Sequence, residues 1–505
     1  MYCDIVSNTL ESFHRYLSRN ETYCRNHPAA RVSAFWNAHF NDRNNFPNIQ
    51  QFMTFRRSDF LYGIGDTRPS TLEQKQREFD HTLKSTSLFV PGDFLRRLPE
   101  PTFGAPHVFP RDSICQSASF VLNAGTTWRV SRLINRYGLT DRPLHIAEIG
   151  AGWGACAYQL HHAAAVSSYT VIDLPENLCL SSVYLASTLP SRKVLFIECA
   201  SGNQATPLSN HLHFALPPAI DSLFGPYDVL LNTLSFQEMD RETVKEYFDF
   251  AHRTLSSDGI LVSFNSHGKA GIRRPSEYLT PGLQLVHMQP FRKVPAGFFN
   301  TIPYEMVFRK TDHQPSKLEL IAVDAIGEMM QFGLDQDLIE PIHQLTSGTL
   351  SHALQAELTH IHDFFYAIEE NRREQLAHLL LSTHRSARTL FLVANYRFAN
   401  GEFETASRLV EESLEQGLRD FAAVRAHILL ALSRPSTAAD TMDALAFTSA
   451  GLFDEIAGIL EQRTVSALQN HIARVLNCSV GRTFGLQEIL RRLRKKPHNR
   501  PPVTP

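Results

Sequence analysis

Leu144-His145-Ile146-Ala147-Glu148-Ile149-Gly150-Ala151-Gly152-Trp153-Gly154 is the stretch on which the fold turns. A mostly apolar run stops at three glycines spaced one residue apart, and a helix-forming run follows from Ala155 to about residue 165. Glycine adopts backbone conformations closed to other residues and lets the chain approach a ligand, so this reads as a strand, a tight turn and a helix. Further strands are expected at 169–173, 194–197, 227–231 and 259–264, with a helix over 243–255 before the last. Strands alternating with helices give a doubly wound, Rossmann-like α/β sheet, whose ligand lies outside the C-terminal ends of the strands.

Outside this middle region, 96–312, the texture changes. Residues 1–95 mix aromatic and charged residues in helical patches broken by Pro28, Pro47 and Pro69, and read as a helical N-terminal lid. From 313 to 495 amphipathic helical stretches indicate an all-α C-terminal domain, and 496–505 is a Pro-rich tail read as disordered. Ala394, Gly401, Phe403 and Ala406 have the spacing of a tetratricopeptide (TPR-like) helix pair. One copy is too few for an array, and an irregular helical domain is the plainer reading. Such helical surfaces bind protein partners more often than they carry chemistry.

The bulk properties narrow the function. The 505 residues suggest about three domains. Lys plus Arg number 49 against 51 Asp plus Glu, a net charge of -2, which argues against a nucleic-acid partner. Hydrophobic residues at 43% support a large core, yet no apolar run reaches the roughly 18 residues of a transmembrane segment. The N-terminus carries no basic and apolar leader, and the seven cysteines include no CxxC pair. A cytoplasmic protein without a disulfide framework is expected, with homo-oligomerisation left open.

The glycine turn has GxGxG spacing rather than the GxGxxG of dinucleotide sites, and Glu148 stands two residues before the first glycine. A carboxylate there repels a pyrophosphate and suits a cationic ligand such as S-adenosyl-L-methionine. Asp173, 25 residues beyond Glu148, is placed to accept both ribose hydroxyls of an adenosine ligand. The bland alternative for Asp173 is a helix cap ahead of Pro175.

Three motifs together, Glu148 to Gly154, Asp173-Leu174-Pro175-Glu176 and Asn232-Thr233-Leu234-Ser235-Phe236-Gln237-Glu238-Met239, resemble the sugar O-methyltransferases of the class I S-adenosylmethionine-dependent methyltransferases. Gly104-Ala105-Pro106 is a weaker element of the same likeness, which covers about 96–312. The resemblance implies that Glu148, Gly150, Ala151 and Gly152 hold the methionine end of the cofactor and Asp173 its ribose. It places Leu174 near the adenine and Asn232 toward the reacting methyl group. The implied substrate is a sugar hydroxyl of a glycan or nucleotide sugar.

A hydroxyl nucleophile is helped by a general base at the C-terminal end of the fourth or fifth strand. Glu238 and His267 are the candidates. Gln237 and Asn265 suit a polyol, because an amide both donates and accepts. Glu238 and Asp240 are close in sequence, but two acids at a helix start are weak grounds for a metal, and none is expected. Trp153 and Tyr158 are read as packing residues. The aromatics Phe35, Trp36, His39 and Phe40 form a natural lid over the substrate, but a stripe at helical spacing is more often core, and the basic run Arg491, Arg492, Arg494, Lys495 and Lys496 is read as a solvated helix end. The rival functions are a nicotinamide-dependent oxidoreductase on a similar sheet and a non-catalytic scaffold built on the C-terminal helices.

Overall fold

Strands covered on both faces need apolar residues at nearly every position, and the central strands of this chain supply them. A computed structural model describes residues 2–26, 49–57, 71–199, 204–268, 271–291, 302–331, 334, 337–400 and 402–418, and the structural statements below concern these residues. They belong to two units, Met1–Pro295 with Pro303–Pro315, and Ala296–Ile302 with Ser316–Pro505.

The first unit begins with helices α1 (Tyr2–Asn26), α2 (Ile49–Thr54), α3 (Leu72–Thr86) and α4 (Gly92–Arg97), then a small hairpin, β1 (Phe109–Arg111) and β2 (Ile114–Gln116), and helix α5 (Ala118–Arg136). Then come β3 (Leu144–Ile149), α6 (Ala155–Ala163), β4 (Val166–Ile172), α7 (Pro175–Thr188), β5 (Lys193–Ile197) and β6 (His211–Ala215). The unit closes with β7 (Tyr227–Thr233), α8 (Arg241–Thr254), β8 (Leu255–Asn265), β9 (Leu283–Pro290) and β10 (Tyr304–Lys310). The sheet order is β5-β6-β4-β3-β7-β8-β10-β9. Pairing is parallel from β5 across to β8, and β10 is antiparallel to both its neighbours. This is a doubly wound, Rossmann-like sheet. The chain leaves β3 in one direction to β4, goes on to β5 at the sheet edge, inserts β6 between those two, then returns to β7 on the other side of β3, so the topological switch point falls between β3 and β7.

Five strands were expected, and the sheet has eight. The three without a sequence signal, β6, β9 and β10, carry His213, His287 and Glu305, all buried. Those polar groups hide the apolar pattern, yet two of them are paired where they lie. Glu305 accepts hydrogen bonds from His287 Nε2 at 2.9 Å, Gln289 Nε2 at 2.7 Å and Arg129 Nη1 at 2.9 Å. Paired in this way, a carboxylate can sit inside a sheet layer.

Helix α7 is apolar almost all round, and residues 177–187 are all buried. A helix with no polar face needs cover on both sides. The sheet covers one side of α7 and α1 the other. Two α1 side chains one turn apart cap strand ends there. The Leu216 N–H donates to Tyr16 Oη at 2.9 Å, and the Cys199 N–H donates to Asn20 Oδ1 at 2.7 Å. The segment after α2 also packs inward. Arg56 is buried, ion-paired with Glu100, and lies 4.7 Å from the centre of the Trp153 ring. Trp153 and Tyr158 are both core residues, as read from sequence.

The second unit is helical throughout its described residues: α9 (Lys317–Gln331), α10 (Ile339–Thr346), α11 (His352–Tyr366), α12 (Glu370–Thr383), α13 (Ala387–Ala399) and α14 (Phe403–Glu415). Arg388 joins Glu357 at 2.7 Å and Asp337 at 3.1 Å, and Arg397 bridges Glu374 to Glu402. Ala394 and Ala406 are buried on α13 and α14, which pack together. Gly401 and the side chain of Phe403 lie outside the described residues, as do Phe35, Trp36, His39, Phe40, the basic run 491–496 and the tail. No helix among the described residues is long and apolar enough to cross a membrane.

Burial pushes the imidazoles of His161 (α6) and His213 (β6) down to about 4. In the unfolded chain they titrate near 6.5. The fold therefore binds fewer protons, so this contribution to stability is fully present above about pH 6.5 and is lost as pH falls toward 4. Melting temperature is expected to drop over that window, and more shallowly in a His161→Gln, His213→Gln double variant. An unchanged slope in the double variant would refute this assignment.

Candidate active site

The glycine turn lies at the C-terminal end of β3, beside the switch point. Gly150, Gly152 and Gly154 have φ of 72°, 58° and 88°, the left-handed region that side chains with a Cβ rarely adopt. Their surroundings differ. A Cβ on Gly150 would collide with Ser235 Oγ, whereas one on Gly152 would meet nothing within 4 Å. Gly150 is therefore fixed by contact across to the β7 end, and Gly152 leaves an open cradle above the turn.

Asp173, directly after β4, ties down this cradle. Its Oδ2 accepts the Gly152 N–H at 2.8 Å, and its Oδ1 accepts the Leu174 N–H at 2.7 Å and Asn177 Nδ2 at 3.2 Å. A carboxylate has about four acceptor positions. Three are taken, so Asp173 as placed offers a ligand one hydrogen bond, not the two of a full ribose diol. Burial pushes its carboxyl up to about 7 against the opposing effect of these three donors. The helix cap is Leu174, with Pro175 opening α7.

Glu148 is 2% exposed, and Tyr169 Oη donates to its Oε2 at 2.7 Å. Tyr169 lies against His161 of α6, so this carboxylate belongs to the layer between sheet and helix. Ala151, between the first two glycines, supplies backbone to the turn, its carbonyl accepting the Gly154 N–H at 3.1 Å.

Across the switch point, polar side chains converge on the ends of β7 and β8. Asn232 Nδ2 donates to the Ile149 carbonyl at 2.9 Å and to Ser235 Oγ. Its Oδ1 accepts the Phe236 N–H at 3.1 Å and Asn265 Nδ2 at 2.8 Å. Two donors and two lone pairs are the full capacity of an amide, so Asn232 is a strut between β3, β7 and β8. Asn265 also donates to Ser263 Oγ at 2.8 Å and accepts the Gln237 N–H at 3.2 Å. Gln237 Oε1 accepts the N–H of Ser266 at 2.9 Å and its hydroxyl at 2.6 Å. The amides that suggested polyol recognition are thus brought together, but most of their capacity is used on one another. Gln237 uses only Oε1 in these bonds.

The candidate bases stand at the rim of this network. Glu238 is half-buried in a short turn, Phe236–Glu238, and Asp240 caps α8 by accepting the Thr243 N–H at 2.9 Å. His267 follows β8, is 9% exposed, and its Nδ1 lies 2.7 Å from Tyr304 Oη. Leu234, directly after β7, has φ of 61°, a strained conformation for a branched side chain, and such strain gathers at functional sites. Among the described residues no group of three or more His, Cys, Asp or Glu is arranged to hold a metal ion.

Three contributors had little or no sequence signal. Ser235 lay inside a quoted motif, but its role against Gly150 depends on a contact between strands. Asn177, one turn beyond Asp173, fits a helix pattern equally well. Tyr304 comes from the unanticipated β10.

No protein-family model and no curated protein matches the chain. Among solved structures it is similar to magnesium protoporphyrin IX methyltransferase from Synechocystis PCC 6803 with bound SAM, at 13% identity over 48% of this chain and 100% of that one, TM-score 0.27. It is also similar to TrmK from M. capricolum in complex with S-adenosyl-homocysteine, at 9% identity over 50% of this chain and 95% of that one, TM-score 0.28. Likenesses this distant carry no functional argument, and the reading rests on the residues.

The two glycines give a graded test. Gly152→Ala is expected to cost about 1–2 kcal/mol, the left-handed penalty alone. Gly150→Ala adds the collision with Ser235 and is expected to lower the melting temperature further. Equal shifts would mean that the turn is not braced against β7.

Proposed function

We propose that this chain is an S-adenosyl-L-methionine-dependent O-methyltransferase acting on a sugar hydroxyl of a glycan or nucleotide sugar. The observation that carries the reading is the left-handed glycine turn at the switch point, tied through Gly152 to a buried carboxylate at the end of the neighbouring strand. Its fit to the cofactor rests on the open space above Gly152 and the remaining acceptor position of Asp173. Gly150, Ala151 and Gly152 would cradle the amino-acid end, Asp173 would accept a ribose hydroxyl and Leu174 would border the adenine, with Glu148 adding negative potential. When bound, the cofactor supplies a sulfonium-activated methyl group. The protein then has to orient the acceptor in line and take its proton. Gln237 Nε2 would hold an acceptor hydroxyl, and His267 or Glu238 would take the proton. The sugar preference draws on the motif resemblance and on the amide-rich end of β7 and β8. A helical second unit that binds a protein partner is part of the same proposal.

Calorimetry with S-adenosylhomocysteine and with NAD tests the cofactor. Heat is expected with the first, and binding of NAD alone would overturn the proposal in favour of an oxidoreductase. Asp173 accepts best when ionised, and its carboxyl titrates near 7. Affinity for S-adenosylhomocysteine should therefore rise as pH increases through about 7. Asp173→Asn is expected to abolish that dependence and weaken binding about tenfold, the scale of one hydrogen bond to a charged group. For the acceptor, mass spectrometry of cellular glycans and nucleotide sugars with and without the gene should differ by one methyl group.

A further inference from the structure

Helix α5 and strand β10 bring several arginines together around one carboxylate. Arg129, Arg132 and Arg136 stand three and four residues apart on α5, which puts them on one helix face. Glu305 and Arg309, four residues apart, share one face of β10. Arg132 and Arg136 are exposed, and Arg129 and Arg309 are half-buried. Glu305 pairs with Arg129 at 2.9 Å. His287 on β9 adds no charge to this group. An arginine can only donate, so His287 Nδ1 accepts from Arg136 Nη1 at 3.2 Å, and its Nε2–H donates to Glu305 at 2.9 Å. Rings rather than acids hold the other guanidinium groups. Arg309 lies 5.1 Å and Arg136 6.0 Å from the centre of the Tyr137 ring, and Arg129 is also within 5.5 Å of the Phe89 and Phe291 rings. Among the described residues no carboxylate other than Glu305 pairs with these four arginines, and Arg309 Nε is buried without a hydrogen-bond partner.

Four guanidinium groups against one carboxylate leave three positive charges unmatched in one strip. A guanidinium resting on an aromatic ring is held in place and keeps its charge. From Arg129 to Arg136 the strip runs about 10 Å along α5. From Glu305 to Arg309 it runs about 13 Å along β10. One end adjoins the candidate active site, because Glu305 follows Tyr304, which is paired with Asn265 at the end of β8. The other end, Arg309 opposite Ile260, lies toward the far end of the same strand. A single phosphate or diphosphate would neutralise one end only, whereas a chain with a charge on successive units can follow the whole length. We infer that the strip binds an anionic polysaccharide, the acceptor chain running on from the sugar that is methylated. This rests on the proposed methyltransferase reading and narrows its acceptor to a polymer bearing carboxylates. Nucleic acid is the other common polyanion, and a net charge of -2 over 505 residues argues against it.

Fluorescence anisotropy on the full chain tests this, with end-labelled polygalacturonate as the probe and dextran of the same length as the uncharged control. Polygalacturonate is expected to bind and dextran not, with affinity falling as salt is raised from about 0.05 to 0.5 M. Arg136→Gln with Arg309→Gln should weaken polygalacturonate binding about tenfold, the scale of two solvated charge pairs. Arg77→Gln with Lys245→Gln removes two exposed charges elsewhere and should leave binding unchanged. If the first pair unfolds the chain, Arg132→Gln decides, with an expected loss of about threefold. Equal binding of dextran, equal weakening by both pairs, tighter binding of single-stranded RNA, or full affinity in the strip variants overturns the inference. Calorimetry with S-adenosylhomocysteine is read separately. A chain that binds polygalacturonate through the strip but no S-adenosylhomocysteine keeps the strip and defeats the methyltransferase reading.

Discussion

The side-chain amide of Asn232 holds the two halves of the sheet in register where a ligand would rest. Parallel strands on either side of a switch point have no hairpin to align their ends, and only ladder hydrogen bonds and side chains can do so. Asn232 bonds the last carbonyl of β3, the turn after β7 and the end of β8 at once. Gly150 can then approach Ser235 with no room to spare. The open space above Gly152 exists because its neighbours on both sides are fixed in this way.

The sheet's parallel half, β6 apart, was legible because its strands are largely apolar runs separated by helical stretches. Strand β3 has the bounds read from sequence, and β4 starts only three residues early. The antiparallel half was not legible. Its strands owe their burial to Glu305, His287, Gln289 and Arg129, which become acceptable inside the protein only as a set. A scan along the chain sees each polar residue alone and counts it against a strand. Strand β6 was lost for a related reason, two histidines in five residues.

For the site, the motifs located the right neighbourhood but not the use made of each group. Gln237, Asn265 and Asn232 were chosen for their ability to donate and accept, and that ability is what builds the network at the β7 and β8 ends. Sequence gives the hydrogen-bonding capacity of a residue, whereas only the fold shows how much is left over. Asp173 makes the same point, since its carboxylate braces the loop it was expected to serve. A ligand that took two hydrogen bonds there would have to displace one of the three donors already in place.

The docking of α1 also bears on how the chain is made. The bond from the Leu216 N–H to Tyr16 Oη joins residues 200 positions apart, and that from the Cys199 N–H to Asn20 spans 179. During synthesis at about 5–20 residues per second, α1 waits about 10–40 s for the strands it caps. For most of that interval its apolar face lacks α7, the helix it chiefly packs against. Helix α1 is thus made well before its principal cover, and its bonds to the ends of β5 and β6 are closed only when those strands follow.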